Sequence, residues 1–457
     1  MRSGRGVVSA VAAKRVSVAR AVRAVLVLAA VLALTFQAVS AQEGEARKPT
    51  IRSVVERALS DRFRPSSPPR PAYSIPAGPL GFAEPSSAYL GMRISQVSLD
   101  FIGENRLLFT FRVPGLLRRD ADSNEERKIR AVVLDLPSGT VEAATEWTVH
   151  DYERYLWMLR DGHFLLRDRN NLIEGDTTLR MKLLLQFPGL LLWLELDPTQ
   201  QLMVTSSREP LAAPHQLGGT TGSSSASASG KPAEKDSTTP PEYVLRVLRR
   251  DSSRVILVSR LRTPIRLPIN PTGYIENLRG RDSEWTLSFN HFTGGSRVIA
   301  NVESACMPEE NFVSTDEMLV TACSDTGGNR LMAMTTKGRI LWAYLTPATD
   351  IWPKIVIAPD GSRIARETLV TSYTIGPFSP LGGASSLRGQ LVRVFDAASG
   401  ELVLQLPVKP VLDGGGNVAI SPHGRRVALL NADAIQIFDL PPASPLPSAT
   451  KSLPRHE

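Results

Sequence analysis

Residues 354–440 lay down nearly the same pattern twice, and such a near-repeat restricts the fold more than any other feature of the chain. Residues 355–359, the turn Asp360-Gly361 and residues 362–370 are answered by residues 418–422, His423-Gly424 and residues 425–430, while 391–396 is answered by 434–439. Val392 and Val394, like Ile435 and Ile437, alternate with polar or small residues. A period of two in β-branched residues predicts strands with one apolar face. In Pro359-Asp360-Gly361 and Pro422-His423-Gly424 a proline sets one φ and a glycine frees a later one, as a tight turn requires. Ala397-Ala398-Ser399-Gly400 does the same between Asp396 and the run 401–406. Four short antiparallel strands form a sheet too small to bury both of its faces, so it must stack on copies of itself.

The Phe-Asp endings at Asp396 and Asp439 lie 43 residues apart, within the span of about 40–45 residues of one four-stranded propeller blade. Three segments carry a resemblance: Ile357-Ala358-Pro359-Asp360-Gly361-Ser362-Arg363, Val394-Phe395-Asp396-Ala397-Ala398-Ser399-Gly400 and Ile420-Ser421-Pro422-His423-Gly424-Arg425-Arg426. Residues 354–440 thereby resemble the bacterial WD-repeat and YVTN-type β-propellers, with Phe-Asp or Leu-Asp where WD repeats carry Trp-Asp. The resemblance implies an all-β chain, a β-propeller of four-stranded blades.

Read from its start, the body gives blades at 97–149, 155–187 and 191–261. A fourth, irregular before residue 285, has strands at 285–289 and 297–302, and three more cover 311–344, 354–408 and 417–440. Leu134-Asp135-Leu136-Pro137-Ser138-Gly139 repeats the Phe-Asp turn design, so Asp135, Gly139, Asp360, Gly361, Asp396, Gly400, Gly424 and Asp439 are the expected turn residues. The count is seven, with six and eight open. The seventh blade stops after three strands, and an N-terminal segment at 87–95 is expected to supply the fourth and remove an open edge. The propeller thus spans 86–440. Residues 207–241, rich in Gly, Ser, Thr, Ala and Pro, form an insert too polar to fold. Residues 42–85 hold a short helix at 51–62 and a Pro-rich linker, and 441–457 is a Pro-rich tail.

Residues 1–41 carry six Lys or Arg and no acid, then the apolar run 24–34 and Val39-Ser40-Ala41. That is a secretory signal with cleavage expected between Ala41 and Gln42, an uncleaved anchor being the alternative. Six of the formal +8 charges sit there, leaving +2 on the mature chain. A near-neutral protein is no nucleic-acid binder by charge, and once the signal is removed no stable membrane insertion is expected. Cys306 and Cys323 are the two cysteines, and in a secreted or periplasmic setting they read as a disulfide. A metal pair or two inert thiols are the alternatives.

No nucleophile elbow, His-Glu-x-x-His, phosphate-cradling glycine loop or Cys-x-x-Cys is present. His215, His423 and His456 fall in the insert, a turn and the tail; His150, beside Asp151, Tyr152 and Glu153, is the one local imidazole–acid cluster. Glu309, Glu310, Asp316 and Glu317 lack the spacing of a calcium loop. The tryptophans Trp147, Trp157, Trp193, Trp285, Trp342 and Trp352 read as core between blades before they read as a sugar platform. No catalytic, cofactor or metal residue is assigned. The reading is a non-catalytic, monomeric, exported module that binds a protein, peptide or glycan partner. The alternative is a propeller enzyme with a channel site: a quinone-dependent oxidoreductase, a hydrolase or a lyase. Few residues follow Leu440 for the hydrolase domain of a serine peptidase.

Overall fold

The computed structural model describes residues 57–58, 69–115, 118–119, 125–150, 153–209, 242–324, 328–376, 381 and 384–444. Seven antiparallel sheets follow one another along the chain and form a seven-bladed ring with almost no helix. Blade 1 is built from Val97–Gly103, Arg106–Arg112, Glu125–Asp135 and Val141–Val149, and blade 2 from Leu156–Met158, His163–Asp168, Asn171–Asp176 and Met181–Gln186. Blade 3 takes Leu190–Leu196, Leu202–Glu209, Glu242–Arg249 and Val255–Leu261; blade 4 takes Ile269–Asn270, Gly273–Arg279, Glu284–His291 and Ser296–Glu303. Blade 5 holds Glu309–Phe312, Glu317–Cys323, Asn329–Thr335 and Ile340–Leu345, and blade 6 holds Asp350–Ile357, Arg363–Thr371, Leu387–Asp396 and Leu402–Val408. Blade 7 joins Val418–Ile420, Arg426–Asn431 and Ala434–Asp439 to a strand from far upstream, Tyr73–Pro76.

That closing strand corrects the expectation at 87–95, where the chain instead makes a short 3-10 turn, Ser87–Tyr89. Tyr73 pairs with Ile437 and Ile75 with Ile435, and Ile75 is buried against Gly139 and the core between blades 7 and 1. Six prolines between 65 and 79 suggested a linker, but an outer strand bonds on one side only and therefore tolerates proline. Blade 4 is also more regular than expected. Its first two strands carry Asn, Gly and Glu, yet Ile275 is buried between sheets and supplies the apolar contact they need.

The insert after blade 3's second strand begins later than residue 207. Ser207, Arg208 and Glu209 continue the strand, with Glu209 opposite Glu242, because Arg246 bonds both the Ser207 hydroxyl and the Glu209 carboxylate. Residues 210–241 and 445–457, like the expected signal at 1–41, lie outside the described residues. Of the expected helix at 51–62 only Arg57–Ala58 is described, and it pairs in parallel with Tyr344 and Leu345.

Blade stacking buries the apolar faces. Between blades 5 and 6, Trp342 stacks on Phe395 at 6.1 Å and Tyr344 lies 5.6 Å away. Phe395 is fully buried, an effect of about 2–3 kcal/mol. The turn at its end is locked: Ser399 donates its N–H and hydroxyl to the Asp396 carboxylate at 3.0 and 2.9 Å, and Arg363 pairs with that carboxylate at 2.8 Å. Ser444 donates its N–H to it as well, at 2.8 Å, so the first tail residues dock on this blade. Trp342 Nε1 donates to the Ala397 carbonyl at 2.8 Å and the Tyr344 hydroxyl to the Gly400 carbonyl at 2.5 Å. Asp135 and Gly139 repeat the turn in blade 1, with the Ser138 hydroxyl donating to Asp135 at 2.6 Å and the Gly139 N–H to its carbonyl at 2.9 Å. Asp360 accepts from the Ser362 N–H, Gly361 and Gly424 donate to the Ala358 and Ser421 carbonyls, and Asp439 pairs with Arg426.

Cys306 and Cys323 are joined, with Cα atoms 5.5 Å apart. The bridge ties the link between blades 4 and 5 to the end of blade 5's second strand, where Ser304 already accepts the Cys323 N–H at 2.9 Å.

Candidate functional site

The first strands of neighbouring blades pack side by side, Val418–Ile420 beside Val97–Gly103 and Val97–Gly103 beside Leu156–Met158, so they form the inner wall around the axis. On or just ahead of these strands six of the blades carry charges that join one cluster. In blade order they are Asp100, Arg154, Glu195, Arg266, Glu309 and Lys354. Among these six the sign alternates, while Glu310 and Asp350 lie on the same first strands of blades 5 and 6. Strict alternation cannot close on a ring of seven, and ahead of blade 7's first strand the chain supplies Asp413, which is turned to the Gly91 and Arg93 N–H groups, and then Gly414-Gly415-Gly416. A Cβ on Gly415 would lie 3.0 Å from Lys354 Cγ and 3.0 Å from a Glu367 oxygen, so the missing side chain lets those two groups pack against the backbone.

The charges form one electrostatic cluster. Arg266 bonds Glu309 at 3.1 Å, and Ser98 donates to Asp100 at 2.5 Å. Arg154 lies between Asp100 and Glu195 in its electrostatic contacts, and Lys354 senses Arg93, Glu309 and Glu367. Arg93 is placed by blade 7: Asp413 accepts the Gly91 and Arg93 N–H groups at 2.6 and 2.8 Å. Arg154 and Lys354 present surface to water while protein surrounds them, as expected of groups in an axial cavity, and burial lowers both pKa values. Burial raises Glu195 to about 7, with Arg266 and Arg154 opposing the rise. It raises Glu310, next to Glu309, to about 8 against a hydrogen bond from Asn277, and Glu367 to about 8 against bonds from Gly416 and Gln390. Asp100 is raised by the same cause.

Three tryptophans of the inner strands carry collar arginines, and Trp157 also has Arg167 at 5.9 Å. Arg93 lies over Trp352 at 4.2 Å, Arg154 over Trp157 at 5.2 Å and Arg266 over Trp193 at 5.8 Å. Trp147 and Trp342 are buried between blades, and the Trp285 indole donates to the Ser304 carbonyl at 3.0 Å.

At the opposite end of the strands the first turns of the blades interlock. Arg160 of blade 2 donates to the Pro198 carbonyl of blade 3 at 2.6 Å and to the Pro359 carbonyl of blade 6. Blades 2 and 6 are three steps apart on the ring, so this contact crosses the axis. Asn270 donates to the Thr315 carbonyl at 2.8 Å, the Asp360 N–H to the Pro422 carbonyl at 3.1 Å, and the His423 N–H to Glu104 at 2.7 Å.

The residues singled out in the sequence are dispersed. His150 Nδ1 is held by Asp168 at 3.0 Å, tying blade 1 to blade 2, and Asp151 and Tyr152 lie outside the described residues. The four acids of blade 5 split, Glu309 and Glu310 in the first strand, Asp316 and Glu317 at the turn beyond it. Among the described residues no group of acids, histidines or cysteines has the arrangement of a metal site. The collar of inner-strand charges itself escaped the sequence reading; its signal was an ionic residue on or just ahead of the first strand in six of the seven blades.

No protein-family model and no curated protein matches the sequence. Similar solved structures include the acylaminoacyl peptidase of Pyrococcus horikoshii, 8% identical with a TM-score of 0.43 over 76% of this chain and 53% of that one. The β-propeller domain of the Trilobed protease from Pyrococcus furiosus is 10% identical, with a TM-score of 0.41 over 76% and 94% of the two chains. TolB from Acinetobacter baumannii is 12% identical, with a TM-score of 0.36 over 72% and 79%. The present chain spans about half the length of the acylaminoacyl peptidase.

Proposed function

We propose that this chain is an exported, non-catalytic β-propeller whose axial collar binds a protein, peptide or glycan partner. The observation that carries the reading is the set of opposite charges, Asp100, Arg154, Glu195, Arg266, Glu309 and Lys354, gathered on or just ahead of six inner strands, where burial shifts Asp100, Arg154, Glu195 and Lys354. Maintaining such charges away from bulk water is costly, and a binding site is a use that repays it. The basic, then apolar segment at 1–41 and the paired cysteines support export.

The test is an array of peptides and oligosaccharides probed with the full chain and with its Lys354→Glu variant. Binding by the parent that disappears in the variant supports the collar; binding that is unchanged in the variant, or a silent array, overturns it. One observation favours a hydrolase or lyase instead: Glu195, at about 7, can take or give a proton near neutrality between two arginines. Turnover abolished by Glu195→Gln would establish that reading.

A further inference from the structure

The stacked arginines say which chemistry the collar is built to meet. Resting a guanidinium on an indole fixes its plane while leaving its N–H groups available, so less entropy is lost when it binds. Arg93, Arg154 and Arg266 are all held this way, each on a tryptophan of a different inner strand. The Arg93 side chain and the Lys354 ammonium make no hydrogen bond among the described residues, and Arg154 spends only its Nε, on the Leu156 carbonyl at 3.0 Å. The acids are mostly answered from within. Asp100 accepts from Ser98, Glu309 from Arg266, Glu310 from Asn277 and Glu367 from Gln390. Glu195 makes no hydrogen bond among the described residues, and Glu310 Oε1 and Glu367 Oε2 are buried without a partner, but burial raises these three acids to about 7 or 8, so the charges left unanswered at pH 7 are mainly cationic.

We propose that the group received by the collar is a peptide carboxylate, entering end-on from the end of the ring away from the first turns. This rests on the collar being the binding site. A carboxylate matches the planar fork of arginine and brings one negative charge; the acids interspersed among the cations oppose a doubly charged phosphate. A glycan would stack on open aromatic faces, whereas the three tryptophans at the collar are already covered by arginine. The end-on approach follows from Arg160, whose contact with Pro359 crosses the axis and bars an extended chain from threading through. A chain terminus or one acidic side chain reaches the cations without passing that strap.

The test is calorimetric titration of the full chain at pH 7 and low salt. The probes are N-acetyl-tetraalanine as free acid, the same peptide as C-terminal amide, an amide-capped peptide with one internal Glu, and tetragalacturonate. We expect the free acid or the Glu peptide to bind, the neutral amide to bind at least about tenfold more weakly, and Arg93→Gln and Lys354→Gln each to cost about tenfold. Which of the two acidic peptides binds identifies a chain terminus or a side chain as the source. Thermal melting of the variants shows that they remain folded. Equal binding of acid and amide, lost in both variants, overturns the carboxylate while leaving the collar standing. Preference for the acid with undiminished binding by the variants overturns the collar itself. Binding of tetragalacturonate alone, or of none of the probes at millimolar concentration, overturns the peptide carboxylate.

Discussion

The guanidinium of Arg160, in the first turn of blade 2, donates a hydrogen bond to the carbonyl of Pro359, in the first turn of blade 6. With its second bond to the Pro198 carbonyl at 2.6 Å, one side chain ties together three turns that are remote in the chain. Arg160→Ala is expected to cost about 1 kcal/mol, the ordinary value for surface hydrogen bonds. Hydrogen exchange should accelerate at 197–201 and 358–361 and stay unchanged in blade 4. Uniform acceleration, or none, contradicts the strap.

Glu310 makes the fold sensitive to base. Burial raises its pKa to about 8, so the folded state holds a proton that the unfolded chain releases near pH 4.5. Stability from this group is full at low pH and declines as pH climbs from about 4.5 to about 8. Glu310→Gln, which keeps an acceptor for Asn277, removes that slope. Urea denaturation at pH 5, 7 and 9 should show the variant gaining on the parent by up to a few kcal/mol at the alkaline end.

The Cys306–Cys323 bridge closes a loop with a sequence separation of 17, worth about 3 kcal/mol in the chain-entropy treatment. Intact mass should rise by about 2 Da on reduction, since each sulfur then gains a hydrogen. The Cys306→Ser, Cys323→Ser double variant should unfold at lower urea. An unchanged mass means the sulfurs are not bonded in the protein as made.

Two glycines separate strain from crowding. Gly400 has φ +70 and a Cβ there would sit 2.5 Å from Trp342 Cγ, whereas Gly294, at φ +98, has nothing within 4 Å. Gly294→Ala should cost about 1–2 kcal/mol for the left-handed backbone alone. Gly400→Ala adds overpacking of about 1–3 kcal/mol and should displace the Trp342 indole, which tryptophan fluorescence reads. Equal costs for the two variants would refute the crowding.

Much of the architecture was legible because it is local. The turns at Asp135, Asp360 and Asp396 are written in consecutive residues, and a blade is one supersecondary unit whose strands are neighbours in the chain. The closing strand was not, since Tyr73–Pro76 pairs with Ala434 to Ile437 across almost the whole length of the protein, and its prolines argue against a strand until its edge position is known. Blade 4 was blurred because Ile275 is buried within a polar stretch.

By itself, the order of residues determined the blade, its length and the stacking that follows, because alternation and turn chemistry act over a few residues. It also placed an ionic side chain on or just ahead of the first strand of six blades. Only the closed ring decided that Asp100, Arg154, Glu195, Arg266, Glu309 and Lys354 meet, that arginines settle on Trp157, Trp193 and Trp352, and that burial moves the acids toward neutrality. Charge interactions and desolvation depend on distance and enclosure in space, and neither exists until the seventh blade is sealed onto the first.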